Sequence, residues 1–408
     1  MMEELQENSE LKLFISYSHA DYSEEWNPIK QFKRHLAPLK HNNLVNEWYD
    51  RDILPGADYQ SKIDNNLEEA GLICLFISSN FLDSENCMEE KRRALDLRSR
   101  EGVRVIPIIL SPCGWKDMED ISKLEVLPEK GTPVSDFQDH DKAFTDVYKG
   151  LKEVIKEEVE IRRLKITENF ERFLENTNML AKAHSQKEKV CLGDIFVYPE
   201  LEEFDKLRDP KGNKSSEKMV KNILDYQKVA IAGESQSGKT TLCKKLFKEL
   251  RKKSFVPVYV TDGENKFRGK IKNKIHDSLH RQYEDINVEK IDRKRIVPIV
   301  DDFHLADKKG KHIKDLSVYP RSIVTIDDVF GLNIKDEHTI KSFVHFEIKE
   351  FKPSLRNKLI KKWVNLSGKK DEINNYERNF VYKNVDKTTE LVNSTLGKTI
   401  GRGIMPAY

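Results

Sequence analysis

Between Leu11 and about Gly150, short apolar runs alternate with amphipathic stretches. They read "LKLFISY", a helix-like segment over 24–39, "LVNEWY", another over 58–69, "GLICLFIS", a third over 84–100, and then "VRVIPIIL". Short apolar runs, each followed by a stretch whose apolar positions recur every three or four residues, predict strands alternating with helices, the pattern of a doubly wound parallel sheet. Residues 151–188 break this rhythm. They are charged and mostly free of Gly and Pro, with Val154, Ile155, Val159, Ile161, Leu164, Phe170, Phe173 and Leu174 at roughly helical intervals, which predicts a helical connector with a solvated face.

A second α/β series follows: "KVAIAG", a helix to about Lys253, "FVPVYVT", a helix near 266–282, "RIVPIVDD" and "RSIVTIDD". After "SFVHFEI" the pattern turns helical in "PSLRNKLIKKWVNL", and "KGNKSSEK" over 211–218 reads as a surface loop. The chain therefore divides into a disordered polar N-terminus over 1–9, an α/β domain over 10–158, a helical connector over 159–190, an α/β core over 191–345 and a helical subdomain over 346–408. The stretch "TLGKTIGRGIMPAY" carries no helix cap or breaker cluster, so the expectation is a subdomain truncated at its C-terminal end.

Composition narrows the partners more than the fold. A chain of 408 residues is long enough for two or three cores. Lys plus Arg (71) nearly cancel Asp plus Glu (69), leaving +2, so no global field draws the chain to nucleic acid or to an acidic membrane. Five scattered cysteines with no C-x-x-C pair argue against a disulfide framework or a zinc site and predict a reducing, cytoplasmic setting. The start, "MMEELQENSE", is acidic and polar, and no apolar run approaches the length of a membrane span.

The chemistry is sharpest at "AGESQSGKTTL", residues 232–242. A strand, a glycine-rich turn and a helix gather backbone N–H groups around one point, where anions bind. Gly233, Glu234, Ser235, Gln236, Ser237, Gly238, Lys239, Thr240 and Thr241 are assigned to this nucleotide site, with Lys239 as the mobile cation for the outer phosphates. Thr240 offers a hydroxyl to Mg²⁺. The strand "RIVPIVDD" delivers Asp301, to hold Mg²⁺ through water, and Asp302, to orient an attacking water. ATP or ADP with Mg²⁺ is the implied cofactor.

Residues from about 190 to 408 resemble the nucleotide-binding core of the STAND NTPases, the class with NB-ARC and NACHT modules. "RSIVTIDD" is similar to that family's sensor strand, in which an arginine reads the terminal phosphate, and Arg321 takes that place. Asp327 stands where the family often has a second basic residue, and Pro406 in "GIMP" resembles its adenine-contacting proline. The resemblance implies a switch in which detection of a ligand, such as a phage protein, drives self-association.

The first domain has its own rim. "LFISYSHAD" ends a predicted strand with Ser16, Tyr17, Ser18, His19 and Asp21 at the carboxyl edge of a parallel sheet, where ligands bind. A lone His at a strand end is more often a hydrogen-bonded loop residue, and His19 is assigned no role. With the loop "DRDILPGADY", the helix "SENCMEEKRRAL", "VIPIILSPCGW" and "PVSDFQDHDKAF", the segments over about 10–158 resemble, in sequence and order, the Toll/interleukin-1 receptor (TIR) domain, which implies a flavodoxin-like fold.

Enzymatic members of that family need one glutamate on the helix after the third strand to cleave NAD⁺, and Glu89 and Glu90 compete for the position. Cys87, Glu90, Ala94 and Leu97 share a helical stripe, whereas Glu89 lies with Arg93 and Asp96, so the spacing selects Glu90. The family motif agrees. Ser16, Tyr17, Trp48 and Arg51 are assigned to the rest of the dinucleotide. The resemblance implies a bacterial antiviral NAD⁺ glycohydrolase that self-associates through both modules and releases nicotinamide with ADP-ribose or a cyclic form. Two alternatives stay open: a non-enzymatic adaptor acting through the loop around Pro55, and an NTPase whose turnover is the output.

Overall fold

The computed structural model describes residues 10–23, 26–48, 59–177, 187–204, 210–261, 269–327, 343–366 and 387. They form two compact units that divide between Leu164 and Lys165.

In the first unit the chain runs β1 (Leu11–Ser16), α1 (Pro28–His41), β2 (Val45–Trp48), α2 (Tyr59–Glu68), β3 (Leu72–Ile77), α3 (Ser79–Asp83), α4 (Glu85–Glu101), β4 (Arg104–Ile109), α5 (Glu119–Ser122) and α6 (His140–Arg163). The four strands are parallel in the order β2-β1-β3-β4, the start of the flavodoxin-like order. Successive side chains leave a strand on opposite faces, and the core divides accordingly. Leu13, Ile15 and Phe76 pack with Phe32 and Leu36 of α1 and Phe144, Val147 and Leu151 of α6. Phe14, Ile73, Leu75 and Ile77 pack on the other side with Leu67 of α2 and Ala94 and Leu97 of α4. Both faces being covered, β3 is buried along its whole length, as the continuous run "LICLFI" requires.

The expected connector over 159–190 is not one element. Its first turn completes α6, where Val159 and Ile161 are buried and Arg104 bonds Glu157 at 2.6 Å and Glu158 at 2.9 Å. From Lys165 the chain belongs to the second unit.

That unit runs α7 (Glu168–Glu175), α8 (Leu192–Ile195), β5 (Glu200–Phe204), β6 (Pro210–Ser215), α9 (Ser216–Lys221), β7 (Lys228–Ala232), α10 (Lys239–Lys252), β8 (Val256–Val260) and α11 (Ile271–Gln282). It continues with β9 (Ile296–Val300), α12 (Lys309–Leu316), β10 (Ser322–Ile326), β11 (Val344–Ile348) and α13 (Pro353–Val364). The sheet order is β6-β5-β11-β7-β10-β9-β8, parallel from β11 to β8, with β5 and β6 added antiparallel at one edge. The segment expected to be a loop over 211–218 is in fact most of β6 and the start of α9. Its residues are polar on both faces, so no alternation announces a strand; backbone pairing with β5 holds it at the edge. Strand β10 lies between β7 and β9, an insertion that decides the site below. Among the described residues no helix is long and apolar enough to cross a membrane.

Candidate functional site

In the second unit, β7 ends at Ala232 and α10 begins at Lys239, so the glycine-rich turn joins a strand's carboxyl end to a helix N-terminus. Gly238 has φ 97° and Gln236 φ 65°, which turn the chain back on itself. At Gly233 a Cβ would stand 2.4 Å from Ser237 Oγ, so any side chain there would push Ser237 out of its place in the loop. Lys239 is buried, and its Nζ donates to the carbonyls of Gly233 at 2.6 Å and Glu234 at 2.9 Å, with Asp327 Oδ1 3.4 Å away. Glu234, Ser235 and Gln236 face solvent, and Thr241 is half-buried in the first turn of α10.

Thr240 Oγ1 donates to Asp301 Oδ2 at 2.6 Å, and Thr325 Oγ1 donates to Asp301 Oδ1 at 2.6 Å. The hydroxyl of Tyr259 also donates to Asp301 Oδ2, and burial pushes that phenol well above its ordinary value. Thr325 reaches Asp301 because β10 sits between β7 and β9, and the same hydroxyl accepts from the Asp302 backbone N–H at 2.7 Å. Burial, then the neighbouring Asp301 carboxylate, raises the Asp302 carboxyl above the usual range. His304 Nε2 stands 2.8 Å from Asp327 Oδ2.

The donor set fits a magnesium nucleotide. Thr240 and Asp301 present adjoining hard oxygens, the ligand type that a magnesium ion prefers. Ser237 Oγ is buried without a hydrogen-bond partner inside the loop, a polar atom that a phosphate oxygen would satisfy.

Arg321 does not belong to this site. It precedes β10, whose Ser322 pairs with Lys228 at the start of β7, whereas the loop leaves β7 beyond Ala232, opposite Ile326. The strand separates the two by roughly 16 Å. Arg321 Nη2 instead donates to the Leu224 carbonyl at 3.1 Å, and its guanidinium lies over the Phe255 ring at 5.4 Å. The residue at the loop end of β10 is Asp327. Pro406 and Arg51 lie outside the described residues, as do the side chain of Trp48, which ends β2, and the turn at Pro55.

In the first unit the carboxyl ends of β1 and β3 form a rim with the start of α4. Ser16 Oγ donates to Glu90 Oε2 at 2.5 Å. Ser84 caps α4 by accepting from the Cys87 N–H at 3.3 Å, and Cys87 Sγ donates to the Tyr17 carbonyl at 3.5 Å, which draws the helix onto the end of β1. The buried Tyr17 ring lies 5.3 Å from that of His19 and 5.5 Å from that of Tyr22. Asp21 accepts from Ser78 Oγ at 2.7 Å and Asn80 Nδ2 at 2.8 Å; burial nevertheless raises its carboxyl.

Glu89 is exposed and forked by Arg92, Nε at 2.8 Å and Nη2 at 2.5 Å, which holds its carboxyl below the usual range. The helical phase is one residue off the expectation. The buried stripe of α4 is Cys87, Lys91, Ala94 and Leu97, with Lys91 neutralised by Asp120 at 2.6 Å, and Glu90 sits half-buried at its border. Tyr259, Thr325 and His304 were not singled out from the sequence; each acts across strands or loops, and no local spacing marks it.

Residues 13–148 match the family model described as TIR domain, so the first unit carries a TIR domain. The chain is 34% identical over 142 residues to an uncharacterized protein, y4lF, of Sinorhizobium fredii (strain NBRC 101917 / NGR234), a match covering 35% of this chain. The chain spans 42% of the length of that relative. Among solved structures, it is similar to a DNA replication initiation factor at 16% identity (46% of this chain, 61% of the other) with a TM-score of 0.27. Domain III of the Thermotoga maritima replication initiation protein DnaA gives 17% identity over 47% of this chain and 84% of the other, TM-score 0.27. The Thermotoga maritima RuvB Holliday junction branch migration motor gives 16% over 37% and 47%, TM-score 0.26. At these TM-scores the likeness supports no inference about this chain.

Proposed function

We propose that this chain is a nucleotide-controlled signalling protein of cellular defence whose TIR domain cleaves NAD⁺ to nicotinamide and ADP-ribose or its cyclic form. The observation that carries the reading is the Ser16 to Glu90 contact at the rim. Nicotinamide leaves the ribose as a neutral base, so no general acid is needed, unlike glycoside hydrolysis with two carboxylates. The demand is on charge and position. An ionised Glu90, aimed by the Ser16 hydroxyl, binds the ribose hydroxyls and stabilises the positive oxocarbenium-like centre. Tyr17, Trp48 and Arg51 are assigned to the remainder of the dinucleotide.

The second unit is read as a STAND-type regulator. Residues 233–241 would hold the phosphates of ATP or ADP, Thr240 and Asp301, which share a hydrogen bond, would hold Mg²⁺, and Asp302 would orient a water. When bound, Mg²⁺ neutralises phosphate charge. Nucleotide-dependent self-association, set off by a ligand such as a phage protein, then gathers TIR domains in the cytoplasm. The test is to incubate assembled full-length protein with NAD⁺ and follow nicotinamide. Release that Glu90→Gln abolishes is the expected result; none from the assembled protein sinks the enzymatic reading and favours an adaptor.

A further inference from the structure

Helix α7, the first element after the TIR-bearing unit, is bound at both ends and along one face to the wall behind Asp301. At its start the Thr167 N–H donates to the Gln282 carbonyl at 2.9 Å, and the Glu284 N–H donates to the Lys165 carbonyl at 2.9 Å. At its end Lys244 Nζ donates to the Asn176 carbonyl at 2.9 Å and lies 4.4 Å over the Phe173 ring, while Lys248 pairs with Glu175. Between them Phe173 meets the Tyr259 ring at 5.0 Å, and Phe170 meets Phe247 at 5.1 Å.

Tyr259 is the hinge of this arrangement. Gln282, which receives the start of α7, also brackets the Tyr259 backbone: its Oε1 accepts from the Tyr259 N–H at 2.9 Å and its Nε2 donates to the Tyr259 carbonyl at 2.5 Å. The far end of the same ring donates its hydroxyl to Asp301 Oδ2, the oxygen that also accepts from Thr240. A carboxylate turned toward a metal site is held by such outer partners, whose loss typically costs about 10- to 100-fold in metal affinity.

We propose that Tyr259 is a positioning residue through which the docking of α7 sets the orientation of Asp301, so that α7 docking and Mg-nucleotide binding favour one another. The coupling is reciprocal: whatever a docked α7 adds to Mg-nucleotide affinity, bound Mg-nucleotide returns to α7 docking. The TIR-bearing unit thus leads directly into a helix that reports occupancy. This inference rests on the magnesium-nucleotide reading of the loop, and its test separates the two.

The full chain is titrated calorimetrically with ADP, with Mg²⁺ and with EDTA, as wild type, Tyr259→Phe, Phe173→Leu and the double variant. Tyr259→Phe keeps the ring and removes only the hydroxyl. Both single variants are expected to weaken Mg-ADP by about tenfold while leaving metal-free ADP unchanged, and the double variant to be no weaker than Tyr259→Phe alone. Backbone hydrogen exchange over 167–176 should slow on adding Mg-ADP in wild type and not in Tyr259→Phe. Wild-type protein that binds no Mg-ADP would overturn the nucleotide reading and this inference together. Tight Mg-ADP binding in all four proteins, or equal losses with and without Mg²⁺, would overturn the inference alone.

Discussion

At the scale of single residues, neighbouring glutamates on α4 have opposite fates because a helix turns by about 100° per residue. Glu89 is spent on Arg92 in solvent, and Glu90 meets Ser16 at the strand end. Glu90→Gln should cut NAD⁺ cleavage by at least about 100-fold, the loss typical of a removed transition-state partner, while Glu89→Gln keeps most of it. Chromatography of nicotinamide and ADP-ribose products decides, and the reverse order would place the substrate on the other side of the helix. Lys244 is a second such case. Burial lowers it from 10.5 to about 8, so the unfolded chain holds this proton to higher pH than the folded one. Unfolding therefore takes up a proton between those values, and the stability of wild type relative to Lys244→Met should rise as pH goes from about 8 to 10.5. Denaturant midpoints of both proteins across that window check the sign; a flat difference would mean the lysine keeps its proton.

At the scale of elements, strand direction decides which end of β10 lies by the glycine-rich loop. Lys239 at the loop and Arg321 at the opposite end are both cations of one sheet, yet only the first touches the turn carbonyls. Lys239→Ala should weaken Mg-ATP binding by an order of magnitude or more, on the order of a lost charge-assisted contact, without unfolding the unit. Arg321→Ala should leave nucleotide affinity unchanged and lower only the melting temperature, through its bond to Leu224 and its stacking on Phe255. Parallel calorimetry and thermal melts separate the two; a matching loss of affinity in Arg321→Ala would restore it as a phosphate reader.

At the scale of the whole molecule, the first unit ends where α6 ends. Val159 and Ile161 are buried in its last turns, and a Cβ on Gly71 would collide with Arg162, so a fragment cut at 158 loses part of its core. Fragment 10–164 should fold, but a rim in which Glu90 is the one carboxylate not already engaged by Ser78 and Asn80, with few described aromatic neighbours, is too sparse to order a dinucleotide without a second copy. We expect its specific activity on NAD⁺ to rise with its own concentration, and a fusion to a constitutive oligomeriser to be active at every dilution. A dilute fragment as active as the fusion would leave the nucleotide unit without this means of control.

Apolar patterning alone marked β1, β3, β4, β7, β8, β9 and β10, because each is a short run largely buried on both faces, and the eight-residue spacing from Gly233 to Thr240 marked the phosphate loop because its chemistry is local. The strand β6 was not legible: an edge strand with two polar faces takes its identity from the backbone it pairs with. Nor was the place of Arg321, since the rule that ligands gather at the carboxyl ends of parallel strands excludes it only once β10 is known to run parallel to β7. Glu90 was legible by a stripe that the structure moves by one residue, to Lys91, whose charge is tolerated inside because Asp120 meets it. The meeting of Thr240 with Asp301 follows from the motif, but only the tertiary structure brought Tyr259 and Thr325 to the same carboxylate, from β8 and β10 on either side of β9. Local patterning determines which segments become strands and helices; the order in which strands lie side by side, set by how their buried faces pack, determines which hydroxyls a carboxylate meets.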